Sequence, residues 1–181
     1  RLSPKPVQRP APPIWIGARG PKAIRRAAEM GYHLMATIGP DPAPLYLDTL
    51  KECGKNPIDY KIAQLRMVYC AESEDKAWDE CQEHLFHLLE FYQDILSEAN
   101  DAEGDDAPLP VRKPEDMRNS VLADHFMIGT PDQVCEKMSQ FRKDFNCTDL
   151  IMGTQFPGLA PDKGTEALKL FAEKVMPQFR N

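Results

Sequence analysis

Four consecutive residues, Gly17, Ala18, Arg19 and Gly20, concentrate the candidate chemistry of this chain. They follow the apolar run Ile14–Ile16 and precede Pro21, which opens a segment of helical periodicity. A strand, a glycine-bounded turn and a helix start in succession leave backbone N–H groups free. They also present the positive end of a helix dipole, an arrangement suited to a phosphate. Gly17 and Gly20 permit unusual dihedrals and close approach of a ligand to the backbone. Arg19 and Lys22 add positive charge, Lys22 from one step inside the helix. The same junction also occurs in α/β proteins that hold no ligand there, so anion binding and simple chain reversal both stand at this level.

Other reactive side chains form weaker patterns. Glu83, His84, His87 and Glu90 share one helical segment, but no third ligand is evident and the spacing is not H-E-x-x-H, so no metal site is expected. His125, beside Phe126 and Met127, reads as structural, and no Cys-His pair is spaced as a nucleophile. Five cysteines (Cys53, Cys70, Cys81, Cys135 and Cys147) are odd in number and lack C-x-x-C spacing, which reads as reduced thiols in a cytoplasmic protein.

The elements that must position these residues alternate. Ile14–Gly17 reads as a strand, Pro21–Met30 as a helix, His33–Thr37 as a strand and Pro42–Glu52 as a helix stopped by Gly54. Lys61–Ala71 is rich in β-formers and reads as the third strand. Ser73 caps a long helix over about Glu74–Ala99 with apolar positions Trp78, Leu85, Leu88, Leu89, Phe91 and Leu96, and its aromatics Trp78, Phe86, Phe91 and Tyr92 read as core or interface residues. Asn100–Pro114 is acidic with little to bury, and reads as a flexible insertion. Thr130 and Pro131 start a helix to about Phe145, Thr148–Gly153 is the fourth strand, and Lys163–Phe179 the closing helix.

Composition excludes some function classes. A formal charge of −6 over 181 residues with no basic stripe argues against nucleic-acid binding. The apolar runs fall far short of a membrane span, and no signal peptide is apparent. Strands separated by helices imply parallel pairing, in a doubly wound sheet or in part of a (β/α)8 barrel. Four units are too few for a closed barrel of about 250 residues. With its proline-rich start at Arg1, the chain reads as part of something larger, whose exposed edges favour self-association.

The segment PKPVQRPAPPIWIGARGPKAIRRAAEMG resembles the middle of luciferase-like flavin-dependent oxidoreductases, where a proline-rich approach precedes the fifth barrel strand. IGTPDQVCEKMSQF, TDLIMGTQFPG and a terminal helix running into KVMPQFR follow in the family's order. The resemblance covers nearly the whole chain and is weakest over the acidic insertion. Tyr32–His33 departs from the family's Asp-Gly before strand six. The family includes bacterial luciferase, alkanesulfonate monooxygenase and deazaflavin (F420) enzymes. The resemblance implies an α/β fold: the C-terminal portion, strands five to eight, of a parallel TIM barrel, with residues 1–181 forming part of a single domain.

What the resemblance implies for function follows position by position. Gly17, Ala18, Arg19 and Gly20 form the loop after strand five that approaches the flavin phosphate. Barrel active sites lie at the C-terminal ends of strands, which singles out Thr37 and Ile38, Glu72 and Ser73, and Thr154, Gln155 and Phe156. Gln155 is placed to hydrogen-bond a flavin edge or a substrate, and Phe156 to wall an apolar pocket; Ser73 also reads simply as a helix cap. The family's catalytic His belongs to the N-terminal half. The expected activity is a monooxygenase using reduced FMN, delivered by a partner flavin reductase, and molecular oxygen on a small organic substrate. F420-dependent hydride transfer and a non-catalytic flavoprotein or fragment that pairs with another subunit are the alternatives. A homo-oligomer is expected.

Overall fold

A computed structural model describes residues 3–37, 40–98 and 111–180. Residues 99–110, most of the expected acidic insertion, and Ile38 therefore lie outside the described residues. The chain forms two compact units: Arg1–Leu65 with Phe145–Ile151, and Arg66–Asp144 with Met152–Asn181.

The first unit is built on β1 (Trp15–Gly17), α1 (Pro21–Met30), β2 (His33–Ala36), α2 (Ala43–Glu52) and the start of β3 (Ile62–Cys70). β1 and β2 pair in parallel with Trp15 opposite His33 and Gly17 opposite Met35. β2 pairs in parallel with β3 from Leu34 opposite Ile62 to Ala36 opposite Gln64. Strand alternation places Ile16, Leu34 and Ile62 on one face. There they join Ile24, Ala27 and Ala28 of α1 and Ala43, Tyr46 and Leu50 of α2 in one apolar cluster. Tyr46 pins this layer, its hydroxyl donating to the Tyr32 carbonyl at 2.5 Å. Burial pushes that phenol up to about 12. Gly31 ends α1 at φ 73, a left-handed cap that a β-carbon would strain.

The second unit contains the end of β3, α3 (Glu74–Glu98), β4 (Met127–Gly129), α4 (Pro131–Asp144), α5 (Pro161–Lys174) and α6 (Met176–Phe179). β5 (Asp149–Gly153) pairs with β3. Here β4 pairs in parallel with the end of β3, with Val68 opposite Met127 and Cys70 opposite Gly129. Thr148–Gly153 was expected as the fourth strand; the extra β4 makes it the fifth. Three residues that are all buried show no alternation, so the sequence carries no strand signal there. The expected closing helix is interrupted after Lys174. Pro177 supplies no N–H and its ring crowds the carbonyl four residues back.

Candidate functional site

The turn after β1 is tied to the end of β2 by the Ala18 N–H, which donates to the Met35 carbonyl at 3.0 Å. Ala18 is buried, while Gly17, Arg19 and Gly20 are exposed. The Gly20 carbonyl starts α1 by accepting from the N–H groups of Ala23 and Ile24, both at 3.1 Å. The backbone N–H groups of Arg19 and Gly20 meet no acceptor among the described residues, and the Arg19 guanidinium pairs with no carboxylate among them. No acidic side chain in the first turn of α1 compensates its positive end.

Neither glycine uses the dihedral freedom the sequence suggested. Gly20 sits at φ −85 and ψ 156, and Gly17 is not among the residues with positive φ. A β-carbon at Gly20 would meet nothing within 4 Å, and one at Gly17 would make ordinary contact with Met35. Packing among the described residues therefore does not demand glycine at either position. Among the described residues the turn offers two unpartnered donors and an exposed cation, a set that fits an anion.

In the second unit, the end of β3 leads into a conventional cap. The Ser73 hydroxyl accepts from the Lys76 N–H at 3.2 Å, and Glu72 pairs with Lys76 at 2.6 Å. The hydrogen bond from Lys76 holds the Glu72 carboxyl below its ordinary value. Nearby, Arg118 bridges Glu74 at 3.2 Å and Asp75 at 2.5 Å, and Gln133 donates to Glu74 at 2.7 Å. The Gln133 side-chain oxygen accepts from the Thr130 N–H at 2.9 Å, while the Thr130 hydroxyl accepts from the Gln133 N–H at 3.4 Å. This reciprocal capping box is legible in the sequence as T-P-D-Q.

The turn after β5 holds the two residues expected on the substrate side. Phe156 is 1% exposed and its ring lies 6.1 Å from that of Tyr69. The Tyr69 hydroxyl donates to Glu80 at 3.0 Å, and burial, then this bond, pushes the phenol upward. Gln155 is exposed as a residue, yet its amide donates to the Leu159 carbonyl at 2.8 Å. Gly17–Gly20 and Gln155–Phe156 thus stand in different units, each with its own local framework.

The remaining candidates are placed away from chemistry. Burial pushes the Cys70 thiol up to about 12 and raises that of Cys81 further, so neither is a ready nucleophile. His87 lies 3.5 Å from Glu90 and 4.0 Å from Glu83. Among the described residues no group of three or more His, Cys, Asp or Glu could hold a metal ion. No helix of the described residues is long and apolar enough to cross a membrane. Sequence reasoning missed Gly158 and Arg118, whose partners His84, Glu74 and Asp75 lie far along the chain, and Gly164, which meets Gln155 only when the turn after β5 folds back.

The family of luciferase-like monooxygenases matches the chain over residues 1–145. Among solved structures, the monooxygenase RslO1 from Streptomyces bottropensis superposes with a TM-score of 0.66 at 23% identity, over 96% of this chain and 50% of that one. The oxygenating constituent of 3,6-diketocamphane monooxygenase from Pseudomonas putida, solved with FMN, gives 0.66 at 20% identity over 93% and 49%. The coenzyme F420-dependent tetrahydromethanopterin reductase from Methanopyrus kandleri gives 0.61 at 19% identity over 93% and 51%. The chain thus spans about half the length of these relatives and shares an α/β fold of parallel strands with them, as a partial TIM barrel. No curated protein matches.

Proposed function

The chain belongs to the luciferase-like monooxygenase family, and from that premise we propose that it forms the phosphate-holding part of an oxidoreductase using reduced FMN and molecular oxygen on a small organic substrate. The observation that carries this reading is the turn Gly17–Gly20, where two backbone donors and the Arg19 guanidinium find no partner among the described residues and the first turn of α1 holds no acidic side chain. A flavin bound there supplies the redox chemistry. The residues of this chain bind and orient it. The N–H groups of Arg19 and Gly20 take phosphate oxygens, the Arg19 guanidinium adds charge, and Gly17 and Gly20 keep side chains out of the way. Ala18, tied to Met35, holds the turn in place.

On this reading Gln155 and Phe156 serve the substrate side at the C-terminal end of β5. Phe156 acts from the core, by anchoring the turn on Tyr69. A reductase that delivers reduced flavin and a homo-oligomeric assembly complete the proposal.

A second reading is F420-dependent hydride transfer without oxygen. It is favoured by the superposition on two F420-dependent enzymes, the tetrahydromethanopterin reductase and a secondary alcohol dehydrogenase. Parallel fluorescence titration of the intact gene product with FMN and F420 separates the two. Tight FMN binding with oxygen-dependent turnover supports the first, and tight F420 binding the second. Binding of neither cofactor, oxidised or reduced, overturns both and leaves a non-catalytic relative.

A further inference from the structure

The turn between β5 and α5 is locked from within. Gln155 reaches across it, its amide nitrogen donating to the Leu159 carbonyl at 2.8 Å and approaching the Phe156 carbonyl at 3.5 Å. The Leu159 N–H donates to the Phe156 carbonyl at 3.1 Å, and both Phe156 and Leu159 are buried. The amide oxygen of Gln155 lies against Gly164 on α5, where any β-carbon would overlap it outright. A second clasp comes from α3. Gly158 sits at φ 80, and the His84 ring covers it so closely that a β-carbon there would stand 3.1 Å from Nδ1.

A glycine four residues into a helix is costly on its own, because it loses more backbone entropy than alanine would. Gly164 has negative φ, so nothing in its own dihedrals asks for glycine. The three nearest atoms to its missing side chain among the described residues all belong to the Gln155 amide.

We infer that Gln155 is a positioning residue: seated on Gly164, it latches the β5–α5 turn in the shape that faces the bound ligand, rather than gripping that ligand through its own amide. This rests on the reading that the C-terminal end of β5 faces the cofactor or substrate. The clashing atoms are the end of an exposed, flexible side chain, so a methyl group at position 164 should displace the amide and break its bond to Leu159 rather than move the backbone of α5. The latch opens while the helix gains. A fold-level defect would do the opposite.

The test uses the intact gene product and the variants Gly164→Ala, Gln155→Ala and the double substitution. Hydrogen exchange reads the turn, thermal melting reads the fold, and visible circular dichroism reads the ring of bound FMN or F420. We expect Gly164→Ala to melt no lower than the parent while the Phe156–Leu159 amides exchange about tenfold faster, the scale of one lost neutral hydrogen bond. Gln155→Ala should reproduce that acceleration, and the double variant should add nothing to it. The dichroism of the bound ring should change in all three, with cofactor affinity altered far less than by Arg19→Glu.

Unchanged exchange in Gly164→Ala overturns the latch. Faster exchange with an unchanged ring signal overturns the positioning role and leaves Gln155 structural. If the parent binds neither cofactor, the functional reading fails and the positioning role falls with it, while exchange still decides the latch.

Discussion

The Arg66 guanidinium lies 4.7 Å from the centre of the Phe141 ring, over its face, in the interior of the second unit. Arg66 is 2% exposed and Phe141 9%, so this is a cation on an aromatic face shielded from water. A double-mutant cycle of Arg66→Met and Phe141→Leu should return a coupling of about 0.5–2 kcal/mol in chemical denaturation. Additive effects would show that the ring merely fills space.

Charge and space at the turn after β1 should separate affinity from stability. Arg19→Glu replaces an exposed cation and should weaken FMN or F420 binding by about tenfold or more. Gly17→Val should weaken it as well, and Gly20→Ala should do so while shifting stability by no more than about 0.5 kcal/mol, since its new methyl group meets nothing. Unchanged affinity in both Arg19→Glu and Gly17→Val would sink the phosphate assignment.

Gly129 occupies φ 146, and a β-carbon there would come within 2.5 Å of the Gln133 oxygen that caps α4. Gly129→Ala should therefore cost about 1–3 kcal/mol in urea unfolding. A loss no larger than that of an ordinary surface substitution would mean that the β4–α4 junction relaxes freely.

The Glu74 carboxyl is held below its ordinary value first by the hydrogen bond from Gln133 and then by Arg118. A carboxylate whose folded value is depressed contributes stability above its unfolded value and loses it as pH falls through the folded one. The stability gap between the parent and Gln133→Leu should thus be largest at neutral pH and shrink on acidification below about pH 4.3. The part that persists in acid is the lost bond from the Thr130 N–H. A gap independent of pH would place no linkage at Glu74.

Along α3 one apolar stripe runs from Leu85, fully buried, to Tyr92 and Ile95, which are about half exposed, with Phe91 beside them. Such a surface favours association, so the 181-residue chain alone should self-associate in light scattering, and Tyr92→Glu should reduce this. A monodisperse monomer that melts cooperatively would count against a partial barrel that needs covering.

Much of the fold was open to reading because it rests on local rules. Pro21 at a helix start, Gly54 past a helix end and Thr130 before Pro131 each act through residues within one turn. The parallel α/β class followed from strands separated by helices, and the first two of the four quoted segments lie within residues 1–145, over which the family matches. The turn Gly17–Gly20 was legible for the same reason, since a strand, two glycines and a proline fix where backbone donors emerge.

Tertiary structure decided what depends on distant partners. β4 exists because Met127–Gly129 lies beside the end of β3, a pairing across nearly sixty positions that three buried residues cannot announce. The rigidity of the turn after β5 depends on Gly164 being empty beneath Gln155 and on His84 lying over Gly158. Sequence by itself determined most of the elements and where a strand, a turn and a helix start follow one another, because those are properties of neighbouring residues. Which polar groups stay free, and which are consumed by the fold, was settled only when packing brought remote side chains together, because a hydrogen bond is a matter of distance in space.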